Sequence, residues 1–302
     1  MIQMENLKAL ACVVLVSLFF GACGGPAGQQ DDNDEGKNVK PLLDSTKSAL
    51  FQVGDELFSI PSPMQTAMLI KASGANYNSE MLNNPGAAGQ YSTKVQKSLN
   101  LGIYGADLGY VTLYDQTQDA VSYINAAKKL ADDLGVSSAF NPALIKRFQN
   151  NLGNKDSLLL LVSDAYMASD AYLKDNQRED ISSLVLAGGW MEALYFATEV
   201  AKMANSPEIN RRIGEQKNTL ENLIKLLQKK ANNEEYAELV DQLVDLYYMF
   251  DDVEYSYEYE KPSTDEEKKL TIINSGSVVN ITEDQLNQIS AKIKSIRNQI
   301  VG

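Results

Sequence analysis

The sequence predicts a mainly α domain, an antiparallel helical bundle or helix-pair stack with a small C-terminal β element and a terminal helix. Three observations lead there. Residues 41–250 are punctuated by capping residues, prolines and glycines at helix-length intervals. The segment 253–260 then switches to a period of two, and the last twenty residues return to a helical stripe.

Helices are expected at about 42–53, 63–72, 91–114, 117–134, 142–152, 156–175, 178–204, 207–231 and 234–250. Ser62–Pro63, Asn141–Pro142 and Ser206–Pro207 each place a capping side chain before a proline at the first helical position. Gly74, Gly135 and Gly153 are placed to stop helices, where a left-handed residue is needed. Such short connections make neighbouring helices antiparallel.

The stretch "SLNLGIYGADLGYVTLY" carries small residues at Ser98, Gly102, Gly105, Ala106 and Gly109, all on one helical face. Glycine inside a helix costs up to about 1 kcal/mol relative to alanine, so close backbone packing against a neighbour is the expected return. Residues 183–196, "SLVLAGGWMEALYF", echo this helix at a spacing of 85. Ser98 aligns with Ser183, Leu99 with Leu184, Leu101 with Leu186, Asp107 with Glu192 and Tyr110 with Tyr195.

Toward the C-terminus, "VEYSYEYE" alternates Val253, Tyr255, Tyr257 and Tyr259 against Glu254, Ser256, Glu258 and Glu260. A half-buried strand is the ordinary reading, and a tyrosine-rich contact surface the functional one. "KLTIINSGSVVNIT" reads as two strands around a turn near Asn274–Gly276. Thr282 and Gln285 fit a capping box, and Leu286, Ile289, Ile293, Ile296 and Ile300 form a narrow apolar stripe suited to one partner surface, expected to be the chain's own core.

The N-terminal 22 residues have another character. Ala9–Phe20 is an apolar run shorter than the roughly 20 residues a membrane span needs, and Gly21, Ala22 and Cys23 follow it. A short apolar core before small residues is a secretory signal. Gly21-Ala22-Cys23 resembles the lipobox of bacterial lipoproteins, with Phe20 where leucine is usual. The resemblance implies that residues 1–22 are removed and that Cys23 carries lipid; an ordinary signal peptide ending near a cysteine is the alternative. The chain has two cysteines, and the other, Cys12, lies within the leader. Residues 23–40 then read as a disordered tether, too polar to bury a core of their own, and 41–302 as the helical domain, with a change of character near 250. In the tether, Asp31, Asn33, Glu35 and Gly36 fall at EF-hand positions, but the twelfth position is Leu42 rather than the required glutamate, so no calcium loop is expected. The acidic run Asp31, Asp32, Asp34 and Glu35 is similar to the export signal of surface lipoproteins of the Bacteroidetes type. That similarity implies outer-membrane attachment with the domain facing outward; a periplasm-facing domain is the alternative.

A second similarity covers roughly residues 55–210. "LNLGIYGADLGYVTLYDQTQDAVSYINAAKKLADDLG" and, before it, "SIPSPMQTAMLIKASGANYN" are similar to helical lipoproteins of that type, a group without an assigned activity. This implies address and fold and supplies no catalytic residue.

Composition narrows the function. The net charge of −13 opposes phosphate backbones, so a nucleic-acid partner is not expected. The 302 residues contain no histidine. That removes Ser-His-Asp and Cys-His catalysis and most zinc sites. No nucleotide loop or nucleophile elbow is visible, and no metal or cofactor is expected. The remaining candidates are acids within apolar helical stretches, Asp107, Asp164, Asp170 and Glu192. A buried carboxylate must be paired or hydrogen-bonded, and structural pairing is the favoured reading. Trp190, the one tryptophan, is expected in the core. The expectation is a lipid-anchored, non-enzymatic binding or assembly component with a protein or glycan partner. Two alternatives stand beside it. One is a glycan or peptidoglycan hydrolase using Glu192 and Asp107, which needs both carboxyls in one open cleft. The other is an accessory of a surface nutrient-uptake system.

Overall fold

Helix α1 (Pro63–Ala72) begins where the sequence places it, and the long helix α2 (Lys94–Leu113) begins three residues after the expected start at 91. The computed structural model describes residues 49–302 except 54–55, 61–62, 140–141, 152–153, 204–205, 230–233, 266–269 and 273–275. Mainly helical, it has ten α-helices among the described residues. After α2 come α3 (Thr117–Asp133), α4 (Pro142–Asn150), α5 (Lys155–Asp175) and α6 (Glu179–Met203). Then follow α7 (Pro207–Gly214), α8 (Gln216–Gln228), α9 (Glu234–Tyr248) and the terminal α10 (Glu283–Val301). No described helix is long and apolar enough to cross a membrane.

Local chemistry explains the boundaries. Thr93 caps α2 with a reciprocal capping box to Gln96, and Thr282 does the same for α10 with Gln285. The Ser206 side chain accepts from the Ile209 N–H, with Pro207 at the first turn of α7. Gly74 and Gly135 leave α1 and α3 with φ of 82° and 69°, the left-handed region that glycine enters without strain.

The expected helix at 42–53 is corrected. Residues 49–53 form strand β1 (Ala49–Val53), paired antiparallel with β2 (Glu56–Ile60), Phe51 opposite Phe58; residues 42–48 lie outside the described residues. Two β-prone runs flanking the sequence Gly54–Asp55 carry a hairpin signal that overrides the weak helical periodicity. The single helix expected over 207–231 is two helices, α7 and α8, which meet at Glu215. Gly214 ends α7 against Val279: a Cβ there would stand 2.3 Å from Val279 Cγ1, and the Gly214 carbonyl accepts the Tyr255 hydroxyl at 2.7 Å.

The C-terminal β element is a nested ribbon. Strand β3 (Glu254–Glu258) pairs with β6 (Gly276–Asn280), and β4 (Ser263–Asp265) pairs with β5 (Leu270–Ile272), all antiparallel. The two runs of "KLTIINSGSVVNIT" are strands, as read, but they pair with β4 and β3 rather than with each other. Pairing β6 with "EYSYE" gives five cross-strand partners, and cross-strand pairs are what stabilise such a ribbon. Every residue of β3 is exposed, not half-buried; Tyr257 and Tyr259 are 66% and 72% exposed.

The core is organised around α2 and α6, which pack along much of their lengths. Their backbones touch through the glycines: a Cβ at Gly102 would lie 1.9 Å from the Val185 carbonyl oxygen, and one at Gly188 2.0 Å from that of Leu99. The small-residue helix is therefore buried and central, as its glycines predict, and its neighbour is the segment that echoes it. Helix α10 lays Leu286, Ile289, Ile293 and Ile296 into the core against α6 and α9.

Candidate functional site

Two places carry three of the four acids singled out in the sequence: a sealed ionic cluster where α2, α6 and α10 meet holds Asp107 and Glu192, and an apolar cavity among α2 to α6 has Asp170 at its wall.

At the first, Asp107 on α2 and Glu192 on α6 come together, both fully buried. Arg297, three residues before Ile300 on the apolar stripe of α10, supplies the counter-charge. Its Nε and Nη2 donate to the two Glu192 oxygens at 2.6 and 2.7 Å, and Nη2 also donates to the Met81 carbonyl at 2.9 Å. The guanidinium lies 4.5 Å from the centre of the Tyr195 ring. This bidentate fork is the strong form of an ion pair. Burial pushes the Asp107 carboxyl well above its usual range, and the neighbouring Glu192 charge adds to the rise. Burial also raises Glu192, against the pull of Arg297. Neither Asp107 oxygen has a hydrogen-bond partner of good geometry. Charge balances when one guanidinium faces one carboxylate and Asp107 keeps its proton. Both acids are closed off from solvent, so the pair is adjacent but does not line an open cleft. Arg297 was not singled out in the sequence, because an arginine among polar helix positions reads as solvent-facing. Its spacing of four from Ile293 and three from Ile300 is the signal that places it on the buried stripe.

The other two acids are corrections. Asp164 is exposed on α5, 3.8 Å from Arg147, where solvent covers one face of the helix. Asp170 is half-buried rather than buried. It accepts from Lys174 Nζ one turn on and from Ser182 Oγ on α6, each at 2.6 Å.

Asp170 stands at the wall of the second place, a cavity of about 110 Å³. Leu101, Gly105 and Leu108 of α2, Ile124 of α3, Phe148 of α4 and Val162 of α5 line it, with Val185 of α6. The space exists because small residues stand where larger ones would fill it: a Cβ at Gly105 meets no atom within 4 Å. Several walls, among them Leu108, Ile124 and Val185, remain half-exposed. The polar lining is Ser169, Asp170 and Ser182. No local sequence pattern marks this cavity, because five helices build it together.

Trp190 is buried, as expected, with its indole N–H donating to Gln216 at 3.0 Å. Cys23, Asp31, Asp32, Asp34 and Glu35 lie outside the described residues. Among the described residues no group of His, Cys, Asp or Glu is arranged to hold a metal ion. In comparisons with family models, curated proteins and solved structures, nothing matches the chain.

Proposed function

We propose that the protein is a lipid-anchored component of the cell envelope that binds a ligand without transforming it. The leader and the sole cysteine beyond it support acylation at Cys23, and each methylene buried in the bilayer contributes about 0.8 kcal/mol to anchoring. The acidic run at Asp31, Asp32, Asp34 and Glu35 supports export to the outer face of the outer membrane. The observation that carries the binding reading is the apolar cavity beside Gly105, a preformed concave site with a few polar groups at one wall, the usual make-up of a small-molecule site. The hydrolase alternative has less support, because Glu192 neutralises Arg297 and both it and Asp107 lie out of reach of solvent.

Protease treatment of intact cells tests the address. Three chains are compared: native, Cys23→Ala, and one with Asp31, Asp32, Asp34 and Glu35 changed to Ala. The reading requires native protein to be cleaved, the linker variant to be protected, and Cys23→Ala to leave the membrane fraction. Protection of the native chain until the envelope is broken places the domain in the periplasm and ends the surface reading.

A further inference from the structure

The cavity is apolar over nearly all of its wall, and its polar groups are gathered where α5 meets α6. Asp170 is the one ionisable residue of the lining among the described residues. Ser182 Oγ donates its single hydrogen to Asp170 Oδ1 at 2.6 Å. A hydroxyl that has donated has only lone pairs left to offer. Each Asp170 oxygen accepts one bond in this group, from Ser182 or from Lys174, and a carboxylate oxygen can accept two. Lys174 turns its charge to Asp170 and does not line the cavity. Ser182 and Asp170 therefore present acceptors to whatever enters.

We propose that this cavity, on the binding reading given above, takes a compact hydrocarbon body with one hydrogen-bond-donating head, a hydroxyl or an amine, directed at Ser182 and Asp170. Three features exclude other classes. A sugar brings many hydroxyls, and most would be buried against Leu, Ile, Val and Phe without partners. A carboxylate or phosphate head would meet the Asp170 carboxylate with no cation in the lining among the described residues, Lys174 being turned to Asp170. A body much larger than a ring or a short chain exceeds the space: an apolar protein cavity of roughly 150 Å³ holds one benzene, and this one is about 110 Å³. Longer chains fit only by leaving through the half-exposed rim at Leu108, Ile124 and Val185. Gly105 sets the depth, because a side chain there projects into open space.

The test is isothermal titration of the full chain with three probes of one body and different heads: 1-hexanol, hexylamine and hexanoate. Hexanol and hexylamine are expected to bind, and hexanoate about tenfold more weakly or worse, as the loss of one good hydrogen bond implies. Asp170→Asn, which removes the charge and supplies an N–H donor, should bring hexanoate within about twofold of hexanol. Gly105→Leu, which fills the cavity, should abolish binding of all three. Ala165→Phe fills it from α5 and serves as a second blocking variant, and circular dichroism checks that each variant is folded. Hexanoate binding as tightly as hexanol, with both blocked by Gly105→Leu, overturns the head-group assignment and leaves the cavity reading standing. Absence of any binding, or binding that survives both folded blocking variants, overturns the cavity reading as well.

Discussion

Arg297→Met removes the guanidinium from a place where Glu192 has no access to water. Methionine keeps much of the aliphatic stem. It loses the two bonds to Glu192 at 2.6 and 2.7 Å, the bond to the Met81 carbonyl and the stack on Tyr195. Glu192 must then remain charged in an apolar core or take up a proton. Proton uptake sets the ceiling: raising the protonated form of a carboxyl of ordinary pKa 4.5 at pH 7 costs about 3.4 kcal/mol. Loss of the aromatic stack adds about 0.5–2 kcal/mol. The expected destabilisation at pH 7 is about 3–5 kcal/mol, the range seen when one partner of a buried pair is removed. At pH 5 the proton costs only about 0.7 kcal/mol, so the loss should shrink by more than about 2 kcal/mol. Urea unfolding followed by circular dichroism at both pH values measures this directly. Adding Glu192→Gln to Arg297→Met should restore much of the stability at pH 7, because an unpaired charge is replaced by a neutral amide. A loss under about 1 kcal/mol at pH 7, or an equal loss at pH 5, would refute the reasoning that a buried charge is what Arg297 neutralises.

Asp107→Asn tests the proton assigned to the same cluster. Burial, then the Glu192 charge, raises the folded-state pKa of Asp107 above the ordinary aspartate value of 3.8. The folded chain therefore holds a proton that the unfolded chain releases, and this contribution is complete below about 3.8 and lost as pH rises through the raised value. The stability of D107N relative to wild type should accordingly climb between pH 4 and 8; a pH-independent difference would place the proton elsewhere. At the helix crossing, Gly188→Ala and Gly102→Ala should each lower stability by about 1–3 kcal/mol, since the added methyl overlaps a carbonyl of the facing helix. Gly105→Ala has free space and should be neutral or stabilising by up to about 1 kcal/mol, and thermal melts of the three order them. Tyr257→Ser and Tyr259→Ser, on the exposed ribbon, should shift unfolding free energy by less than about 0.5 kcal/mol each; a larger loss would mean that the ribbon face is covered.

What the sequence determined by itself is what local chemistry governs. Thr282–Gln285 announces its capping box, Gly74 and Gly135 their helix ends, and the glycine-rich face of 98–109 its burial, because each depends on residues within a turn or two. It also narrowed the buried acids to four, of which Asp107 and Glu192 are the buried pair. Where two local signals competed, the sequence was misleading: 49–53 is a strand because its partner at 56–60 offers cross-strand pairing that a lone periodic run cannot weigh. Only the tertiary structure decided that Asp107, Glu192 and Arg297 share one cluster, across 85 and 105 residues of chain, and that Asp164 faces water while Asp170 faces a cavity. Neither pairing nor empty space is a property of a segment. A counter-charge is defined by which helix packs opposite, and a cavity by the side chains that five helices fail to supply.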